Sequence, residues 1–273
     1  MSLAGWVERA LLTDTLREQL RASSKRLGSL GHDAWGFDAQ VHRRALALCK
    51  PLTDLYYRTQ VLGLEHVPRH GRLLVVANHS GFLPMDGLLL GVALATNPHG
   101  ARMPRAMIER FFPSVPYIGN LFNALGAVLG DVRNCADMLR EEEAVIVFPE
   151  GVRGTGKGWQ RRYQLQRFGH GFMHLAGQTA TPILPVGIAG CEESFPMFGN
   201  LAGLAHSLGL PYVPIGLPLL PSRVVISLGE PLHFGDCSHD TEDVVAGRVD
   251  IVKQHIHELV QQSLRVRNEH AQS

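Results

Sequence analysis

Short apolar runs alternating with helix-patterned stretches constrain this chain more than any other feature. The runs lie in GRLLVVANHS, AVIVFPEG, TPILPVGIAG and RVVISLGEPL. AVIV and ILPVGIA are apolar throughout, with no in-out alternation. That marks strands buried on both faces, as in a sheet covered by helices. Between the runs, MDGLLLGVALA, NCADMLREEE and RFGHGFMHLAGQTA read as helices, and a long helix from TEDVV to RVR closes the chain. Strands alternating with helices give an α/β fold: a single domain with a mixed, mostly parallel sheet flanked by helices. In such sheets functional side chains gather at the strands' carboxyl ends.

Two helical stretches precede the sheet and are expected to pack on it. In residues 4–28, Val7, Leu11, Leu12, Leu16 and Leu20 fall on one face with charges opposite. Packing on the domain and lying in a membrane interface are both compatible with that pattern. The second stretch runs over about residues 38–58, bent near Pro51. The expected division is residues 1–58 as an N-terminal helical region and 59–273 as the α/β domain.

The composition excludes several classes. The 273 residues are 45% hydrophobic and 19% charged, enough for a large core and far from a disordered composition. A formal charge of +1 gives no global field toward nucleic acid. Cys49, Cys135, Cys191 and Cys237 are widely spaced and form no C-x-x-C, so free thiols are expected rather than zinc or disulfides. Glu8, Asp14 and Glu18 interrupt the N-terminus, which lacks a signal-peptide core. No apolar stretch reaches the length of a membrane-spanning helix. From Phe195 to Ser222, however, there is no Lys, Arg, Asp or Glu. Five prolines break that segment, leaving two readings open: a buried irregular crossing, or a loop that contacts membrane or lines an acyl chain.

Two strings carry the chemistry. VVANHSGFLPMDG places His79 at a strand's carboxyl end with Asp86 as the nearest carboxylate. A neutral histidine accepts a proton near neutral pH if a partner on its other nitrogen fixes the tautomer. On one continuous helix the pair would be about 10 Å apart along the axis. Pro84 instead suits a helix start, which puts Asp86 in the first turn, with the SGFL loop folding His79 back toward it. The second string, VIVFPEGVRG, places Glu150, Gly151 and Arg153 after another strand. Arg153 suits a phosphate or carboxylate, with Lys157, Arg161 and Arg162 extending the positive patch. Glu150 suits a substrate hydroxyl or a partner for Arg153.

Two look-alikes fail on inspection. GVRGTGKG, residues 151–158, follows a strand like a P-loop, but Gly158 stands where a magnesium-binding Ser or Thr is needed. His170 and His174 are spaced like zinc ligands, but no Glu follows His170.

Read together, the strings resemble the glycerolipid (lysophospholipid) acyltransferase superfamily, 1-acylglycerol-3-phosphate acyltransferases among them. The family's N-H-x4-D block looks like Asn78-His79 to Asp86, here with six intervening residues. Its second block looks like GAVLGDVRN, with Arg133 one place late and without the usual F-I-D-R ending. Its F-P-E-G-x-R block is matched by Phe148, Pro149, Glu150, Gly151 and Arg153, and its P-I-x-P-V block by Pro182, Ile183, Pro185 and Val186. The likeness spans roughly residues 60–235. The longer first block also resembles acyltransferases acting on neutral glycerides.

The resemblance implies O-acyl transfer from acyl-CoA or acyl-carrier protein to a glycerolipid or lysophospholipid hydroxyl. His79 would act as general base and Asp86 as its orienter. Glu150, Gly151, Arg153, Arg133 and Lys157 would bind substrate. It implies no cofactor, no metal and no nucleic acid, and an enzyme of the cytoplasm working peripherally on a membrane. A relative that binds lipid without turnover, or one that hydrolyses the ester, are the competing readings.

Overall fold

The computed structural model describes residues 14, 32–80, 84–108, 122–201, 203, 213–217, 219–235 and 240–269. The expected helix over 4–28 lies outside these residues, apart from Asp14. Helix α1 (Ala39–Pro51) starts at Asp38, whose carboxylate accepts from the backbone N–H of Gln40 and Val41 at 2.7 and 3.0 Å. That bonding holds the Asp38 carboxyl below its usual pKa. After Pro51 the chain widens into a π turn, Leu52–Tyr56. The expected bend near Pro51 therefore takes the form of a widened turn.

The strands are β1 (Gln60–Leu62), β2 (Leu73–Ala77), β3 (Pro104–Ile108), β4 (Val128–Leu129), β5 (Ala144–Val147), β6 (Ile183–Ala189), β7 (Met197–Asn200), β8 (Pro214–Gly216) and β9 (Val225–Leu228). Seven form one sheet in the order β1-β9-β6-β2-β5-β3-β4, while β7 and β8 make a separate antiparallel pair. Strands β2 to β6 run parallel; β9 pairs antiparallel with β6, and β1 follows β9. The domain is α/β with a mostly parallel sheet, as its apolar runs require.

The remaining helices are α2 (Met85–Ala95), α3 (Val132–Arg140), α4 (Val152–Thr155), α5 (Gly171–Gln178), α6 (Cys191–Ser194) and α7 (Glu242–Glu269). Period-two alternation along β2 divides the core. Leu74 and Val76 pack with side chains of α3, α5 and α7 on one face. Leu73, Val75 and Ala77 pack with Tyr57 and the apolar face of α2 on the other. All five β2 residues are buried, so the strand that delivers His79 is enclosed on both faces. No described helix is long and apolar enough to cross a membrane.

The uncharged 195–222 segment does not cross the core in its described part. It forms the β7–β8 hairpin, with Phe198, Leu201, Ile215, Leu217 and Leu219 exposed. A buried crossing is excluded there because pairing between the two strands satisfies the backbone locally and leaves one face outward.

Candidate active site

Strand β2 ends in Asn78, His79 and Ser80. The Asn78 amide donates to the Ile188 carbonyl at 3.0 Å and accepts from the Ile188 N–H at 2.7 Å. It extends the β2–β6 pairing past Ala77 and is fully buried with both ends satisfied. This fixes the direction in which the chain leaves the sheet. The next residue, His79, stacks its ring on Phe148 at 4.3 Å between centroids and 20° between planes.

The ring's Nδ1 lies 2.6 Å from Asp86 Oδ2. Asp86 is fully buried in the first turn of α2. Its Oδ2 also accepts from the Ser80 N–H at 2.8 Å, and Oδ1 from the Gly87 N–H at 2.7 Å. Each oxygen of this buried carboxylate therefore has a donor, and the helix N-terminus adds its positive dipole end. A carboxylate only accepts, so Nδ1 carries a proton, and in the neutral tautomer this leaves the lone pair on Nε2. Chemically, such a tautomer can accept a proton at Nε2. Residues 81–83 of the SGFL loop lie outside the described residues.

The second string docks directly onto the first. Glu150, 1% exposed, accepts from the His79 N–H at 2.9 Å and from the Gln166 N–H at 2.7 Å. Its carboxylate bridges the end of β2 and the loop before α5 through main-chain groups, while the Arg153 guanidinium turns to the Arg167 carbonyl. Gly151 takes φ 53°, a conformation glycine adopts without cost, and turns the chain from β5 into α4. A Cβ on Gly154 would stand 2.7 Å from His79 Cβ, 2.9 Å from Glu150 Cβ and 3.0 Å from His79 O. The backbone of α4 thus lies against the histidine, and only a residue without a side chain permits it.

The cations divide. Arg153 is exposed beside the site and donates through Nε to the Arg167 carbonyl at 3.4 Å. Lys157 does not join an exposed patch. It is buried, 2.8 Å from Glu192 Oε1. Burial raises the Glu192 carboxyl above the usual range, although Lys157 opposes that rise. Tyr163 donates its N–H to Glu192 at 2.6 Å and its hydroxyl to Glu193, which pairs with Arg267 of α7 at 2.8 Å. The loop carrying Gln166 is so tied to α6 and α7. Arg133 is exposed in the first turn of α3, after β4. That strand is three places from β2 in the sheet, about 14 Å away at ordinary strand spacing. The structure brings together His79, Asp86, Glu150, Gly151 and Arg153, and leaves Arg133 apart.

Sequence reasoning missed three contributors: Asn78 as a stitch to Ile188, Phe148 as the stacking platform, and Gln166 as the second donor to Glu150. The first two stand inside the recognised strings. Gln166 contributes only a main-chain N–H, which leaves no trace in the sequence.

Known proteins resemble the chain over the region that carries this site. The family model described as Acyltransferase matches residues 58–189, which span β2, α2, β5 and β6. An uncharacterized protein of Mycobacterium tuberculosis is 36% identical, over 87% of this chain and 69% of its own length. The chain belongs to the acyltransferase family. This acyltransferase is also 22% identical to the Bos taurus "DGAT1/2-independent enzyme synthesizing storage lipids", over 72% of the chain and 60% of that protein. Its fold matches the 1-acyl-sn-glycerophosphate (LPA) acyltransferase PlsC of Thermotoga maritima, with a TM-score of 0.51 and 18% identity over 94% and 95% of the two chains. The protein is an acyl-transferring enzyme.

Proposed function

We propose that the acyltransferase moves a fatty acyl group from the thioester of acyl-CoA or acyl-carrier protein to a hydroxyl of a glycerolipid or lysophospholipid. His79 Nε2 takes the hydroxyl proton as the alkoxide oxygen attacks the thioester carbonyl. The tetrahedral intermediate collapses with cleavage of the C–S bond, and the imidazolium returns its proton to the departing thiolate. Asp86 holds the ring's orientation and stabilises its cation during the proton's stay. Arg153 meets the phosphate of donor or acceptor. The reaction takes place at the cytoplasmic face of a membrane, with the enzyme peripheral to it.

The observation that supports this reading is the 2.6 Å contact between His79 Nδ1 and the buried Asp86 carboxylate at the end of a central strand. A neutral glyceride acceptor fits the longer spacing between these residues and the likeness to the storage-lipid enzyme. The test is product analysis with labelled acyl-CoA and a panel of lysophosphatidate, other lysophospholipids, monoacylglycerol and diacylglycerol. Ester formation that His79→Ala abolishes, with the variant still folded, is expected. Full transfer by His79→Ala, or free fatty acid as the sole product, refutes the proposal.

A further inference from the structure

The β7–β8 hairpin has no place in the chemistry above, yet its surface is unusual. Phe198 is 64% exposed, and Leu201, Ile215, Leu217 and Leu219 are exposed with it. Leu55 in the π turn after α1, 77% exposed, extends the same surface, because its neighbour Tyr56 donates its hydroxyl to the Leu219 carbonyl. Solvent-facing apolar groups concentrated in this way mark a docking face. We propose that this hairpin is the element that seats the enzyme on a bilayer bearing anionic headgroups; the inference rests on the lipid-acceptor reading above and deepens it.

Three observations choose a bilayer as the occupant. First, no charged residue occurs anywhere from Phe195 to Ser222. Protein interfaces carry a polar rim around their apolar centre, whereas a segment entering acyl chains excludes charge. Second, charge appears at the hairpin's base. Phe195 and Met197 share a cleft with Trp159 and Arg162, whose guanidinium lies 4.5 Å over the Trp159 ring, and Arg161 is exposed beside them. Tryptophan and arginine next to exposed apolar side chains match the headgroup layer of an anionic membrane. Third, the hairpin grows from the correct end of the sheet. Strand β6 runs parallel to β2, and α6 leads from its carboxyl end directly into β7. The seated face therefore lies at the end of the sheet where His79 leaves β2, so an acceptor reaches the base without leaving the membrane.

The experiment compares the wild type with Phe198→Ser/Leu217→Ser and with Arg161→Glu/Arg162→Glu. Co-sedimentation uses phosphatidylcholine vesicles with and without phosphatidylglycerol. Turnover is measured on acceptor embedded in those vesicles and on short-chain acceptor dispersed as monomers. The apolar pair is expected to weaken vesicle binding at least tenfold, roughly the worth of one buried aromatic side chain, with an equal fall in turnover on embedded acceptor. Turnover on dispersed acceptor stays at the wild-type level. The charge-reversed pair loses the preference for phosphatidylglycerol. Unchanged vesicle binding by the apolar pair overturns the proposal, as does a change in its oligomeric state by light scattering with vesicle binding intact. A wild type that binds vesicles through the hairpin but transfers no acyl group refutes the catalytic reading and leaves the docking face standing.

Discussion

Replacing Glu150 by glutamine exchanges one acceptor oxygen for a donor in a pocket where both partners are donors. The His79 N–H at 2.9 Å and the Gln166 N–H at 2.7 Å each need an acceptor, and Gln offers one. A hydrogen bond to a charged group contributes about 1.5–3 kcal/mol, and an unpaired buried N–H costs about 1–3 kcal/mol. Together these give a loss of about 2.5–6 kcal/mol, which a domain in the middle of the usual range of about 5–15 kcal/mol survives. The melting temperature should fall by roughly 10 °C for a chain of this size. His79 is displaced with its own backbone, and a shift on the order of 1 Å at the reacting group lowers turnover by about a hundredfold. KM for both substrates should stay near the wild-type value, since each Glu150 oxygen already accepts from a main-chain N–H. Steady-state kinetics and a thermal melt on Glu150→Gln read all three quantities. A raised KM at an unchanged melting temperature refutes the reasoning, because it assigns Glu150 to the substrate rather than to the main chain.

Two more outcomes follow, one from the packing beside His79 and one from burial in α3. Gly154→Ala drives a methyl group to 2.7 Å from His79 Cβ, a backbone-anchored atom that cannot swing aside; overpacking by about 1–3 kcal/mol and a loss of turnover exceeding tenfold are expected, and a variant with wild-type kinetics removes α4 from the site. Burial pushes the Cys135 thiol up to about 12 from an ordinary 9.0. The unfolded chain then ionises before the folded one, so the thiol's contribution to stability is complete below pH 9 and is lost as pH rises toward 12. Denaturant midpoints at rising alkaline pH should decline less steeply in Cys135→Ala than in the wild type, and parallel declines contradict this account.

The parts of the fold legible in the sequence are those that burial writes into it. Strands β2, β5 and β6 are enclosed on both faces, so each appears as an unbroken apolar run, and α2 spans the residues MDGLLLGVALA. Strand β1, three half-buried residues, and the four-residue helices α4 and α6 have no periodicity to detect. The β7–β8 hairpin was ambiguous because a segment without charge has no contrast between its faces. In the site, the helix start at Pro84 could be read locally, and it places Asp86. The fate of Lys157 could not be read that way. Its partner Glu192 comes from beyond β6, and nothing near GKGWQRR indicates that this cation is buried while Arg161 and Arg162 are exposed. Main-chain partners are invisible for a further reason: the two amides that hold Glu150 exist at every residue other than proline.

The six residues between His79 and Asp86, where the family block has four, show which quantity the fold conserves. Lengthening a connecting segment from four to six residues costs about 0.4 kcal/mol in closure entropy. A charge-assisted hydrogen bond such as that between His79 and Asp86 contributes about 1.5–3 kcal/mol, so the longer loop is easily offset. Neither partner depends on the loop for its position. His79 is set by the Asn78 stitch, the Glu150 bond and the Phe148 ring. Asp86 is set by its place in the first turn of α2. The controlling variable is therefore the register between the end of β2 and the start of α2. Residues can enter or leave the connection without effect while that register holds. Starting α2 one residue earlier or later, in contrast, would rotate Asp86 by about 100° around the helix axis, carry its carboxylate away from Nδ1 and from the Ser80 N–H, and abolish the pair with the loop's length barely altered.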